Sequence, residues 1–238
     1  TDKREADALL AAFDAGSRFN PESEGVDMSE VSDEEYLEMV VADTLSTSDS
    51  ESLIIVPANL KADIRIGGKN IRYSDLTIDR LTSKLTMKER CVQILDTKAS
   101  TNMGRAELEA FYSTRTKKDI STGFSFNLLD VTSEKVIDML PAIDTIMPLL
   151  KSFKGLLNCE IAATANLDTC MNIIIPTLNG VARISGNNLT ISENKMFSDL
   201  ARKLKFKDSK EAKISKMTVE GVIKDSKIEV FPFIVEVD

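Results

Sequence analysis

Leu60-Lys61-Ala62-Asp63-Ile64-Arg65-Ile66-Gly67-Gly68 sets apolar and charged side chains in strict alternation. Successive side chains of an extended strand point to opposite faces, so this pattern predicts a β-strand with one apolar and one wet face. Gly67-Gly68 reads as the hairpin turn that ends it. Leu76 and Ile78 continue the period of two, and Asp79-Arg80 interrupts it in the manner of a bulge. Leu81, Ser83, Leu85 and Met87 resume it, followed by Val92 and Ile94. Ala106, Leu108, Ala110 and Tyr112, and then Phe124, Phe126 and Leu128, complete the series. Several such strands joined by tight turns predict an antiparallel meander.

Helical signals come between strand groups. One helix is capped near Thr132 and stopped by Pro141, with Val136, Ile137 and Leu140 on its apolar face. Ile143, Ile146, Met147 and Leu150 give a second stripe, and Phe197, Leu200, Ala201 and Leu204 a third at i, i+3, i+4 and i+7. Strands are expected near Leu157–Leu167, Gly180–Ile191, Ile214–Lys224 and Lys227–Glu236. Asp225-Ser226 takes the place of a two-residue hairpin turn, with Ser where Gly is favoured. The expected class is α+β: a long curved antiparallel sheet, a β-groove or meander, with a few short amphipathic helices packed on it.

Residues 1–52 read as a separate acidic arm and linker, and residues 53–238 as the β-rich domain. Ala6, Leu9, Leu10 and Phe13 share one helical face, and Ser32 with Glu35 forms a capping box for a helix over Asp33–Ala42. Ser46-Thr47-Ser48-Asp49-Ser50-Glu51-Ser52 is the linker. Residues 1–51 hold 15 acidic and 3 basic side chains, and the rest of the chain 23 and 27. The near-neutral body lacks the concentrated basic face that nucleic-acid binding needs, so no nucleic-acid partner is expected.

The 238 residues contain no histidine and three widely spaced cysteines, Cys91, Cys159 and Cys170. Histidine-based triads and metal sites are thereby excluded, and no CxxC spacing supplies a metal site in their place. The thiols read as half-buried and structural; a Cys159–Cys170 disulfide has no support beyond proximity in sequence. Gly67-Gly68-Lys69-Asn70 lacks the spacing and the Ser or Thr of a phosphate loop. Glu107 and Glu109 lie on the polar face of a strand. No catalytic residue, cofactor or metal is therefore expected, and the chain reads as non-enzymatic. The lysines and arginines from Lys195 to Lys216 suit a helix C-terminus, with anionic headgroups as the functional alternative. No apolar run approaches the ~18 residues of a membrane span. The start at Thr1 and the end inside a strand pattern suggest a piece of a longer protein.

So much alternating strand has few helices to cover it. Either the sheet folds on itself as a sandwich, or part of its apolar face stays open to a ligand. Pattern alone favours the sandwich.

From Ile55-Val56-Pro57-Ala58-Asn59-Leu60 to its end, the chain resembles the AsmA-like family of Gram-negative envelope proteins, which includes TamB-type relatives. The resemblance rests on motifs in order. Leu76-Thr77-Ile78 with its bulge is followed by Val136-Ile137-Asp138-Met139-Leu140-Pro141. Next come Pro176-Thr177-Leu178-Asn179-Gly180 and Ala182-Arg183-Ile184-Ser185-Gly186-Asn187-Asn188-Leu189. Phe197-Ser198-Asp199-Leu200-Ala201-Arg202-Lys203-Leu204 and Lys224-Asp225-Ser226-Lys227-Ile228-Glu229-Val230-Phe231-Pro232-Phe233 close the series. Ser226 departs from the usual glycine after Asp.

The resemblance implies a periplasmic module of a protein anchored in the inner membrane by a segment absent from this chain. It also implies a role in outer-membrane biogenesis, with phospholipid or other acyl-chain lipid held along an apolar β-groove. It favours the open face over the sandwich, and the expected lining is Leu60, Ala62, Ile64, Ile66, Leu76, Ile78, Leu108, Phe124 and Phe126. The alternative is a scaffold module assisting outer-membrane protein assembly through envelope protein partners.

Overall fold

A computed structural model describes residues 34, 54–73, 76–115, 120–139, 153–192, 211–224, 226–231 and 234–237. The strands are β1 Ala62–Tyr73, β2 Leu76–Lys88, β3 Cys91–Thr101, β4 Gly104–Ser113 and β5 Ser121–Thr132. A seven-residue helix, α1 Ser133–Met139, follows. Then come β6 Phe153–Lys154, β7 Leu156–Asn166, β8 Asn179–Ser192, β9 Glu211–Lys224, β10 Lys227–Val230 and β11 Ile234–Val237. All eleven strands belong to one antiparallel sheet, ordered β1-β2-β3-β4-β5-β7-β8-β9-β10. β6 pairs with β8, and β11 shares an edge of β9 with β10. The sheet is open and curled rather than closed on itself.

The sheet is as expected; of the helices expected for the α+β class, the described residues show one short α-helix. Among the described residues α1 is the only α-helix longer than a fragment, and a one-turn 3₁₀ segment at Ile175–Thr177 is the other helical element. The helices expected over 1–14, 33–42 (apart from Glu34), 143–150 and 197–204, and the arm assigned to residues 1–52, lie outside the described residues. The sandwich is also overturned, because no second sheet faces the first among the described residues.

Gly67-Gly68 is not a turn. Both glycines lie inside β1, opposite Thr82 and Leu81, and the chain reverses between the paired Tyr73 and Leu76. The glycine at 68 has a packing reason instead: a Cβ there would sit 2.6 Å from Ile71 Cδ1. Of the other hairpin turns, the one at Glu89-Arg90 falls where none is expected from the sequence, and the one between Lys224 and Lys227 falls where one is. Lys88 pairs with Cys91 across Glu89-Arg90, both at positive φ (49° and 61°), the geometry of a two-residue hairpin loop. Arg115 clamps this loop, its guanidinium donating to the Glu89 carbonyl (2.9 Å) and carboxylate (3.0 Å). Lys224 pairs with Lys227, and Ser226 has φ 60°.

The register breaks at four places among the described residues, one of them between Glu236 and Val237 on β11. The Asp79-Arg80 interruption is another, between Ile78 and Arg80. The third is at Asp96 (φ 50°), and the fourth lies between Leu128 and Val131, where Asp130 has φ 59°. An extra residue shifts the side-chain parity of a strand. Leu128 and Val131, three apart, can thus face the same core.

That core lies on one face of the C-terminal half of the sheet. Leu128 and Val131 of β5, Leu157 and Cys159 of β7, Ile184 and Leu189 of β8, and Ile214, Met217 and Val219 of β9 are all buried there. Val136 of α1 and Phe153 of β6 lie on top, with Val136 fully enclosed. The Ser133 hydroxyl donates to the Phe153 carbonyl (2.8 Å) and ties helix to strand. A smaller cluster, Ile120 and Leu167 with Ile55, Tyr112 and Met171, closes one end of the sheet. The segment before β1 reaches it: the Tyr112 hydroxyl donates to the Ile54 carbonyl (2.6 Å), and Val56 N–H donates to Thr114 Oγ1 (3.2 Å).

Candidate functional site

The strand registers align one row of side chains across the sheet: Ile64, Leu85, Ile94, Ala110, Phe124, Ala163 and Gly180. A neighbouring row runs Thr97, Leu108, Phe126, Ile161 and Ala182. Leu128, Cys159 and Ile184 form the row after that, and they belong to the buried core. The open rows and the core therefore share one continuous apolar face. α1 and β6 cover one part of it and the Ile120 cluster another. The part built by β1–β4 and the middle of β5 has no such cover among the described residues.

Exposure follows this geometry. Ile64 is 47%, Ile66 43% and Phe124 40% exposed, whereas Leu128 on the same strand as Phe124 is 1% exposed. Alternation alone would give these positions equal burial; the position of the cover separates them. Small residues flank the ring of Phe124 in its row, Ala110 on one side and Ala163 on the other.

The opposite face carries the charged side chains, and it also buries Phe111, Val181 and Val222. Lys84 pairs with Asp63 (3.5 Å), and Lys98 with Glu107 (4.0 Å). Arg183 bridges three strands, reaching Glu160 (2.9 Å) and Glu220 (2.8 Å). Such surface pairs contribute little stability each, but they fix the register of side chains toward solvent. Glu107 thus sits where its place on a strand predicts.

All nine expected lining residues lie on or beside the apolar face. Ala62, Ile64 and Ile66 are on β1, Leu76 and Ile78 on β2, Leu108 on β4, and Phe124 and Phe126 on β5. Leu60 precedes β1 in the same parity, is 40% exposed, and ends a turn in which its N–H donates to the Pro57 carbonyl (3.4 Å). They are not equivalent. Phe126 packs against the buried core, while Ile64, Ile66 and Phe124 stand exposed. The expected lining leaves out Leu85 and Ile94, which the alternation already places on strands, and Ile71 and Tyr73, which it does not; all four share the face. Their positions follow the same period once the bulges are located: Ile71 pairs with Ile78 and Tyr73 with Leu76.

The chemistry of the face is apolar contact. The three cysteines are free thiols, Cys91 and Cys159 buried and Cys170 partly exposed. Burial pushes the Cys159 thiol up to about 12 and raises that of Cys91, so both are held protonated. Among the described residues, no group of three His, Cys, Asp or Glu side chains could hold a metal, and no helix is long and apolar enough to cross a membrane. No protein-family model, no curated protein and no solved structure matches this chain.

Proposed function

We propose that the chain is a non-enzymatic lipid-handling module that holds phospholipid acyl chains against the open part of its apolar face, leaving the headgroups in water. The observation that carries this reading is the exposure of Ile64, Ile66 and Phe124 on the same face that buries Leu128 and Val131. Monomeric proteins rarely leave a contiguous apolar surface uncovered unless something binds it. Adjacent strands lie about 4.8 Å apart, so the width from β1 to β5 is roughly 19 Å, enough to lay down a long hydrocarbon tail. Each buried CH₂ contributes about 0.8 kcal/mol, and a chain of ~16 carbons gains on the order of 10 kcal/mol before ordering costs. Holding and passing a lipid needs no covalent step, which fits a chain without histidine.

The motifs from Ile55 onward support a place among AsmA-like envelope proteins. On that reading this is a periplasmic part of a longer protein held in the inner membrane, serving outer-membrane biogenesis. Gentle purification followed by lipid extraction and mass spectrometry tests it. Co-eluting phospholipid at near-stoichiometric amounts is the expected result; a lipid-free, fully folded protein opposes it.

A scaffold role has one observation in its favour. β1 is a 12-residue strand at the end of the sheet order. Such an edge can pair with a strand of another chain. Crosslinking from Arg65 or Lys69 to an envelope protein, with lipid absent from the open face, would favour this second reading.

A further inference from the structure

Leu167 to Leu178 connects β7 to β8 as a loop whose polar groups bond largely to one another. Its first half is an Asp168 turn: the carboxylate accepts from the N–H groups of Cys170 (2.9 Å) and Asn172 (2.8 Å) and from the Asn172 side-chain amide (3.3 Å). Leu167 and Ile173 form an antiparallel bridge. Its second half is a one-turn 3₁₀ segment. The Thr177 N–H (2.8 Å) and hydroxyl (2.7 Å) both donate to the Ile174 carbonyl, and the Leu178 N–H donates to Ile175 (3.0 Å). The loop is stitched back to β7 through Ile174 N–H to the Asn166 carbonyl (2.9 Å) and Asn166 N–H to Thr177 Oγ1 (2.8 Å).

What remains outside is Asn172 and a run of hydrocarbon. Ile173, Ile174 and Ile175 are consecutive and 39–53% exposed. Thr169 to Asn179 contains no charged residue. Ile54, also exposed, is brought to the same end by Tyr112, whose hydroxyl donates to the Ile54 carbonyl and lies 3.4 Å from the Met171 sulfur.

We propose that this isoleucine tip enters the interfacial region of a phospholipid bilayer and seats the module on it. Inserted backbone must satisfy its own hydrogen bonds, as the carbonyls of Ile174 and Ile175 and the N–H of Ile174 do here. Inserted side chains must be apolar and uncharged, as those of Ile173, Ile174 and Ile175 are. A protein partner is the less fitting occupant: protein hot spots favour Trp, Tyr and Arg ringed by polar groups, whereas the exposed side chains of this tip are aliphatic apart from Asn172. Thr122 and Ala165 lie between the tip's end of the sheet and Phe124 and Ala163 one row along, so a lipid leaving the bilayer there reaches the open apolar face by passing the Ile120 cluster; this last step alone rests on the lipid-handling reading.

Flotation of the full chain with vesicles tests the tip, using phosphatidylcholine alone and phosphatidylcholine mixed with phosphatidylglycerol. The wild type is expected to float with both, and Ile173→Ser/Ile174→Ser/Ile175→Ser to bind at least about a hundredfold more weakly. The variant is expected to keep its far-ultraviolet spectrum and its uptake of lysophosphatidylcholine, which reports on the open face. A polarity-sensitive dye on Ile174→Cys in a Cys170→Ser background gives a second measurement in a nearly native loop, with a blue shift expected on adding vesicles. Wild-type protein that stays unbound with no dye shift overturns the proposal. So does a triple variant that floats as well as wild type, or a tip whose loss abolishes only self-association. Wild-type flotation lost in the variant, with no lysophosphatidylcholine uptake by either protein, upholds the tip and removes the lipid-handling reading instead.

Discussion

At the residue scale, burial decides which side chains are inert and which are available. Cys159 lies in the core with its thiol pushed up to about 12, and Cys91 is buried and raised as well, while Cys170 is partly exposed. Iodoacetamide at neutral to mildly alkaline pH is expected to alkylate Cys170 in the native protein and the other two only after unfolding, read by peptide mass. Because folding raises these thiol pKa values, their contribution to stability is present below the unfolded value and is lost as pH rises from there toward the folded one. Asp168 runs the other way. Hydrogen bonds from Asn172, and then from Cys170, hold its carboxyl below the usual range. Its contribution is therefore present above the unfolded pKa and disappears as acid carries pH through the folded one. In NMR, the Cys170 and Asn172 amide shifts should titrate with a midpoint below the ordinary Asp value of about 3.9. Gly123 is constrained by contact rather than by φ. A Cβ there would lie 2.6 Å from Phe111 Cε1 and 2.9 Å from Thr164 Cγ2. Gly123→Ala is expected to destabilise by about 1–3 kcal/mol through overpacking, measured by denaturant unfolding.

At the element scale, the strands were legible because alternation is a local signal. The Asp79-Arg80 break stood out for the same reason: it interrupts a period of two between Ile78 and Leu81. The bulge at Asp96 was not read, since Val92 and Ile94 give only two apolar positions before it, and Thr97 and Ala99 after it are weakly apolar. Gly67-Gly68 misled because glycine pairs signal turns and close packing alike. Only the neighbouring Ile71 side chain distinguishes them, and that is a tertiary fact. Ser226 was correctly placed in a turn that favours glycine. At φ 60° it adopts the left-handed conformation at a cost. Ser226→Gly is expected to stabilise the protein by up to about 1 kcal/mol, measured as a shift in the denaturant midpoint at constant slope.

At the scale of the whole molecule, sequence periodicity says which residues share a face but not where a lid sits. Phe124, Phe126 and Leu128 have the same pattern and the same parity. Yet Phe124 is open, Phe126 borders the core and Leu128 is sealed, because α1 and β6 cover only one end. That gradient yields a paired prediction. Leu128→Ala should cost about 2–5 kcal/mol by leaving a cavity, whereas Ile64→Ser on the open face should stay within roughly 0.5 kcal/mol of wild type; both are read from thermal or denaturant unfolding. The claim that this open face holds acyl chains is tested most directly by photo-crosslinking in cells, with benzoylphenylalanine placed at Phe124 and, on the opposite face of the same strand, at Ser125. Phospholipid captured from position 124 and not from 125 is the predicted result. No lipid at 124, or equal capture at both positions, would contradict the account.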